Sequence, residues 1–404
     1  MSDRMSSVPI AEAWWSAKET KVPITIITQL SLDRLGQLQA MCTSWPGRIS
    51  AALYVPLDHS GSKLDQMQVA GDKSDQRPVK STDRKTSPEH VLKLAIEKAR
   101  KFHGIAEDAL PCQLDLLLAY ERFNESRATM LYPMNILRNY ARLQARTHLI
   151  GLFDVDMLPS LSLYQDLADP EVANRYFSLT EGSREFAPSV LVIPAFITFD
   201  ARTDKGNFSA EQISDRMVIA EKKELLTLWQ YGVINRFDPM DRGHNATQYE
   251  RWLQATDQYE VKYEYRYEPW VICDRMMVPW YDSRFRGYGQ NKIVHLENMN
   301  WTGYKFRVHP KAWLIHRKHA LAKAKLQHLW DFQEMSKRPG GMVYDTVYGH
   351  STTLGGKIRA ALATRQYSTA LDPATAACAE KLPWWQQDHW HWQSGRHQLH
   401  HVAS

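Results

Sequence analysis

The chain has 404 residues, with 50 Lys and Arg against 45 Asp and Glu, a formal net charge of +5. A hydrophobic share of 44% and a charged share of 24% exclude a disordered chain and leave room for one large domain or two. The charge is spread along the chain, which excludes the clustered basic surface of a nucleic-acid-binding protein, and no apolar run approaches the ~18 residues of a membrane-spanning helix.

Residues 1–22 read as a polar leader without the apolar centre of a signal peptide. Ile24–Thr28 is a β-branched run that predicts a buried strand. Ser31 is placed to cap a helix whose apolar positions Leu35, Leu38 and Met41 share one face, and Ile49–Val55 predicts a second strand. This β-α-β start implies a parallel sheet with a right-handed crossover. Residues 58–87 are polar and aperiodic and read as a surface insertion. Ser87-Pro88-Glu89 has the cap, the proline and the acid that open a helix, expected to end near Gly104, and a strand follows over 112–119.

Pro133 suits a first helical turn, after which Ile136, Leu137, Tyr140, Ala141 and Leu143 make an apolar face. Leu149–Phe153 predicts a strand that runs straight into Asp154-Val155-Asp156. Val190–Ile197 predicts one further strand, residues 261–273 another and Trp313–His316 a last, with a helix over about 319–336. Residues 337–404 read as a poorly specified extension that carries Trp384, Trp385, Trp390, Trp392 and a His-rich end.

The four cysteines, Cys42, Cys112, Cys273 and Cys378, contain no C-x-x-C pair, so a zinc site is not expected. They allow two disulfides or none, and the plain reading is four buried small side chains. Four N-x-Ser/Thr sequons, at Asn124, Asn207, Asn245 and Asn300, are either fortuitous or mark a chain that folds in the secretory lumen.

The sharpest chemical signal is the acid pair. In an extended segment residues i and i+2 point to one side, so Asp154 and Asp156 are expected to present two carboxylates together. They would do so at the carboxyl end of a central strand, where open α/β sheets bind ligands. Two such carboxylates repel unless a cation neutralises them, and a hard divalent ion such as Mg²⁺ or Mn²⁺ suits oxygen ligands and bridges to phosphates.

Tyr132-Pro-Met-Asn-Ile-Leu-Arg-Asn139 followed by Phe153-Asp-Val-Asp-Met-Leu-Pro159 resembles glycosyltransferase family 49, the family of LARGE-type glucuronyltransferases. Thr28–Leu35, Val192–Phe196, Gly243-His244, Tyr267–Trp270, Arg284–Lys292 and Trp313–His316 fall in the family's order, so the resemblance spans about residues 23–320. It implies a GT-A fold over 23–336: an α/β, Rossmann-like nucleotide-sugar-binding mixed sheet flanked by helices. It also implies a UDP-sugar donor, with UDP-glucuronate first by analogy, Mn²⁺ (or Mg²⁺), inversion at the anomeric carbon, and a glycan or glycoprotein acceptor. By resemblance Asp156 is the direct metal ligand, Asp154 lies near the metal and the donor ribose, and His316 is a third ligand.

Arg138, on the helix before the acid pair, is then suited to the donor's diphosphate or a uronic carboxylate, with Asn135 one turn away on the same face. Gln29 and Arg34 fall by the first βα turn, where base and ribose would sit. Gly287-Tyr-Gly-Gln-Asn-Lys292 brings backbone close to a sugar, with Tyr288 able to stack on a pyranose and Asn291 and Lys292 beside it. The plain alternatives are a solvated Arg138, a structural His316 and a simple turn at 287–292.

Three departures stand out. Asn291 and Lys292 occupy places where some inverting GT-A enzymes carry an acid pair that supplies the general base. The nearest acids in sequence are Asp282, expected to be that base, and Glu268, expected to serve as base or to hold acceptor hydroxyls. Ile197 follows Pro194-Ala-Phe where the family often has an acid, and Arg317-Lys-His319 lacks a proline common before the second histidine. The resemblance places the protein in the Golgi lumen behind an N-terminal anchor. Residues 1–22 leave no room for one, so the chain is read as a truncated form or as departing in location. The runner-up is a non-catalytic carbohydrate-binding relative; a metal-dependent hydrolase would need more clustered His and Asp.

Overall fold

A computed structural model describes residues 8–58, 87–124, 131–183, 186–203, 206–238, 242–321, 323–337 and 346–385. Most of the expected insertion at 58–87 and the tail beyond residue 385 lie outside the described residues. The strands are β1 (Ile10–Trp14), β2 (Ile24–Ser31), β3 (Arg48–Asp58), β4 (Gln113–Phe123), β5 (Leu149–Leu152), β6 (Met157–Pro159), β7 (Ser189–Ile193), β8 (Ala195–Thr198), β9 (Ala201–Thr203), β10 (Gly206–Phe208), β11 (Ile234–Arg236), β12 (Tyr259–Val261), β13 (Trp270–Asp274), β14 (Lys305–Val308) and β15 (Leu314–His316). The helices are α1 (Leu35–Ser44), α2 (Pro88–Ala109), α3 (Met134–Gln144), α4 (Leu161–Ala168), α5 (Pro170–Glu181), α6 (Ala210–Ile219), α7 (Lys222–Gln230), α8 (Tyr249–Gln254), α9 (Asn291–Trp301), α10 (Lys323–Ser336), α11 (Val347–Ala363) and α12 (Pro373–Ala379).

Among the described residues, nine strands form one mixed sheet in the order β1-β4-β3-β2-β5-β13-β7-β14-β12. Its β4-β3-β2-β5 part is parallel, as the β-α-β start requires. Successive residues of these strands feed opposite cores. Ile26, Ala51 and Leu53 face one core with Leu38 and Met41 of α1, while Ile27, Ala52 and Tyr54 face the other with Ile136, Leu137 and Tyr140 of α3. Burial on both faces explains the continuous apolar runs in β2 and β3. A second sheet, β11-β8-β15-β6, lies beyond the first. The chain passes from the first sheet directly into the second three times, from β5 to β6, from β7 to β8 and from β14 to β15.

Several expectations are corrected. The supposed single strand 190–197 breaks at Pro194, which has no N–H for a ladder, and its halves join different sheets. The supposed strand 261–273 is two short strands separated by an irregular segment. Helix α2 opens as predicted, with the Ser87 side chain accepting from the His90 N–H and Pro88 in the first turn, but it runs past Gly104 to Ala109. Buried Ala95, Ala99, His103 and Ala106 keep one packed face through Gly104, and that packing outweighs the roughly 1 kcal/mol helix cost of a glycine.

The leader is not all loose: β1 pairs antiparallel with β4 at the sheet edge. The extension beyond 337 holds α11 and α12. It also carries Trp384 and Trp385, whose indole N–H groups both donate to the Leu143 carbonyl at the end of α3. Cys42 at the end of α1 is disulfide-bonded to Cys112 at the entry to β4, while Cys273 and Cys378 are free thiols. The four sequon asparagines are all exposed, and no helix among the described residues is long and apolar enough to cross a membrane.

The disulfide closes a sequence separation of 70 residues. Replacing Cys42 and Cys112 together by serine should lower unfolding stability by roughly 2–4 kcal/mol, read as a shift of the urea midpoint.

Candidate active site

The site lies where the chain crosses between sheets. After β5 the backbone turns instead of staying extended, with the Met157 N–H donating to the Asp154 carbonyl at 2.9 Å. Strand alternation does not carry across such a turn, so the expected side-by-side carboxylates part. Asp154 accepts from Arg138 Nη2 at 3.1 Å and from Trp270 Nε1 at 3.0 Å. Asp156 faces the other way, toward β15.

Pairing of β15 with β6 sets His316 opposite Met157, the residue after Asp156. His316 Nε2 lies 3.5 Å from Asp156 Oδ2, and His319 Nε2 lies 2.5 Å from the same oxygen. The three side chains offer one ligand atom each, all within 4.8 Å of one another. Burial opposes ionisation of Asp156, but hydrogen bonds from His316 and His319 outweigh it and hold the carboxyl well below the usual carboxylate range. One carboxylate and two imidazoles form an N/N/O donor set that suits a divalent ion such as Mn²⁺.

On the other side of the crossing, a cleft is lined by Ile27, Thr28, Gln29, Arg138, Leu152, Phe153, Asp154, Tyr281 and Lys292. Helix α3 supplies its floor. Buried Asn135, Asn139 and Arg142 of α3 bind the segment 275–282: Asn139 exchanges two hydrogen bonds with the Tyr281 backbone, and Asn135 Nδ2 donates to the Asp282 carbonyl at 2.9 Å. Arg138 is not solvated; its Nη1 donates to Asn291 Oδ1 at 2.8 Å and to Asn135 Oδ1 at 3.2 Å.

Lys292, on the first turn of α9, places Nζ 3.7 Å from the centroid of the Trp270 ring, on which His244 also stacks nearly parallel at 5.0 Å. Burial pushes the Lys292 ammonium down to about 8, against the pull of Asp154 and Glu268. Burial, followed by the charge of Lys292, keeps His244 neutral, well below the ordinary histidine value.

A family model described as a glycosyl-transferase for dystroglycan matches residues 23–338. The chain belongs to glycosyltransferase family 49. Mouse (Mus musculus) xylosyl- and glucuronyltransferase LARGE2 is 33% identical over 300 residues, 74% of this chain and 34% of that protein. The human (Homo sapiens) LARGE2 protein is 33% identical over 300 residues, 74% of this chain and 33% of its own length. Zebrafish (Danio rerio) xylosyl- and glucuronyltransferase LARGE1 is 30% identical over 297 residues, 74% of this chain and 31% of its own length. The chain thus spans about a third of the length of these curated relatives. The mixed sheet flanked by helices is consistent with the GT-A domain expected of family 49.

Within this family 49 chain the structure gathers Asp154, Arg138, Asn135, Asn291 and Lys292 into one group, with Gln29 across the cleft accepting from the Tyr132 hydroxyl. Arg34 points elsewhere, donating to the Ala320 carbonyl at 2.5 Å in the segment that carries His319. Tyr288 is about one-third exposed and packs edge-on against His328 of α10. Asp282, expected to be the general base, is not among the residues that line the cleft. It is buried, paired with Arg284 at 2.7 Å, and accepts from the Tyr367 hydroxyl at 2.9 Å.

Two contributors escaped the sequence reading. His319, named in the sequence only for the missing proline before it, joins Asp156 and His316; α10 begins at Lys323, not at 319. Thr28 Oγ1 is buried in the cleft wall with no hydrogen-bond partner among the described residues, which no local sequence signal marks. Substitution of Asp156, His316 or His319 by alanine should each abolish Mn²⁺ binding measured by calorimetry. Asp154→Asn should weaken metal binding far less than these substitutions do, because Asp154 lies outside the three-residue group, while loosening Arg138.

Proposed function

We propose that the chain is a metal-dependent inverting glycosyltransferase that moves a sugar, glucuronate by analogy, from a UDP-sugar to a glycan acceptor. The observation that carries this reading is the convergence of Asp156, His316 and His319 beside the Arg138–Asp154–Lys292 group. The activities for which the relatives are named, xylosyl- and glucuronyltransferase, support the same class.

Asp156, His316 and His319 would hold the ion. When bound, a divalent cation supplies positive charge that stabilises a departing diphosphate. Arg138 and Lys292 add two fixed cations on the cleft side, where a diphosphate or a uronic carboxylate would be recognised. Thr28 Oγ1 and Gln29 offer the hydrogen bonds for the nucleoside end of the donor.

Glu268 takes the general-base role in place of Asp282. Its carboxylate is near enough to act on both Lys292 and Tyr288 electrostatically, and its backbone N–H is fixed to the Gly243 carbonyl at 2.9 Å. The acceptor hydroxyl would lose its proton to Glu268 as its oxygen attacks the anomeric carbon and the diphosphate leaves with the bonding pair. A Golgi-lumenal site of action is part of the proposal, supported by the exposed sequons and the Cys42–Cys112 disulfide. Asn291 and Lys292 in place of an acid pair favour a second reading, a carbohydrate-binding relative without turnover.

The deciding experiment is a thermal-shift screen of nucleotide sugars with Mn²⁺, followed by turnover of the best binder. The true donor should raise the melting midpoint most, because it binds the native state preferentially. Glycan binding with no nucleotide-sugar effect would select the second reading. Glu268→Gln should cut turnover by about 10²–10⁴-fold with donor affinity retained, whereas Asp282→Asn should act mainly on stability.

Donor binding should also depend on pH. Lys292 is cationic below about 8 and neutral above it. UDP affinity should therefore weaken as pH rises from about 7 to about 9, and Lys292→Met should flatten that change.

A further inference from the structure

We infer that Arg359, on a helix beyond the family match, is a positioning residue that fixes the donor-site turn at Gln290; the inference rests on the proposed reading of the cleft as the donor site. The match ends at residue 338, and α11 lies after it in the chain. The buried face of α11 is laid against two segments that shape the cleft. Leu354, Ile358 and Leu362 pack with Phe285 of the Arg284–Lys292 segment and with Val294 of α9.

The turn itself is conformationally costly. Gln290, directly before α9, has φ 60° and ψ −22°, a left-handed conformation that a non-glycine residue adopts only when its surroundings hold it there. Arg359 supplies the hold. Its Nη2 donates to Gln290 Oε1 at 2.6 Å, while its Nε reaches both oxygens of buried Glu297 on α9 at 2.8 and 2.9 Å. One planar guanidinium thus ties the left-handed residue to the helix it opens. Gly355 makes room: a Cβ there would lie 3.2 Å from Gln290 Oε1 and 3.3 Å from Arg359 Nη1.

The two residues after Gln290 are the working end of the cleft. Asn291 accepts from Arg138, and Lys292 sits on Trp270. A change of φ or ψ at Gln290 swings both. Arg359 therefore acts on the site through another residue, and the Glu297 pairing gives it the rigid mount from which to do so. The same helix supports the turn at a second point, where the Ser351 hydroxyl meets the Arg286 carbonyl at 3.5 Å.

The test uses the full chain with Arg359→Lys and, separately, Gln290→Met. A lysine still meets Glu297 but cannot serve a carboxylate and an amide together. Gln290→Met removes the acceptor and leaves the Arg359–Glu297 pair in place. Each variant should keep the wild-type melting temperature and lower kcat/KM for donor turnover by about tenfold. Each should also speed amide hydrogen exchange over residues 287–292 without changing the middle of α9 or α11. The double variant should be no worse than the worse single one, because the two act through one contact.

If Arg359 only staples helices, Arg359→Lys will change exchange along α9 and α11 together, or not at all, and Gln290→Met will be silent; either pattern overturns the inference. If wild-type protein neither binds nor turns over a nucleotide sugar, the glycosyltransferase reading falls. The exchange pattern still decides whether Arg359 holds the turn.

Discussion

The arrangement depends on the seam between two sheets. Three connections cross it in the same sense: β5 to β6 through Asp154–Asp156, β7 to β8 through Pro194, and β14 to β15 through residues 309–313. The seam strands of the second sheet are short, and their register is fixed by pairing, with Leu314 opposite both Pro159 and Ala195. That register brings His316 beside Asp156. A slip of one residue would turn the His316 side chain to the opposite face of the sheet and break up the Asp156–His316–His319 cluster. The crossing also splits Asp154 from Asp156, so one short motif serves two halves of the site.

Helix α3 is the second constraint. It is buried nearly all round, although half of its residues are polar. Its apolar side packs under the sheet, and its polar side replaces water for the backbone of 275–282. Arg142 alone donates to the carbonyls of Arg275, Val278 and Pro279. Buried cations bound only to carbonyls and one shared carboxylate contribute little net stability, because desolvation offsets the attraction. Their consequence is geometric: Arg138 and the segment 278–282 are held in a fixed relation to Asp154, as a site for a charged ligand requires.

Much of this was legible in residue patterns, for reasons that differ by element. The β-branched runs of β2 and β3, the Ser87-Pro88 helix start and the apolar face of α3 are local signals, and local signals survive folding when packing agrees with them. The leader and the tail misled for the opposite reason. Strand β1 is an edge strand whose existence depends on β4. Helix α11 is rich in Gly, Thr and Ala, so its pattern is faint. Its apolar contacts are few but placed on Phe285 and Val294, and its small residues are what permit close approach to Gln290. The cysteines show the same limit: four residues without a spacing signature could not reveal that only Cys42 and Cys112 meet.

From its sequence alone, the chain determined a parallel β-α-β start, an acid pair at a strand end, and a set of ordered motifs that places it in glycosyltransferase family 49. These depend on nearest neighbours along the chain and on residue type. Only the tertiary structure decided which groups share a site. It turned Asp154 to Arg138 and Trp270, gave Asp156 to His316 and His319, paired Asp282 with Arg284 and Tyr367, and brought α11 against the turn at Gln290. Nearly all of these are contacts between residues far apart in sequence. Such contacts are set by sheet register, by a turn that breaks strand alternation and by burial, and none of the three is encoded in a single segment.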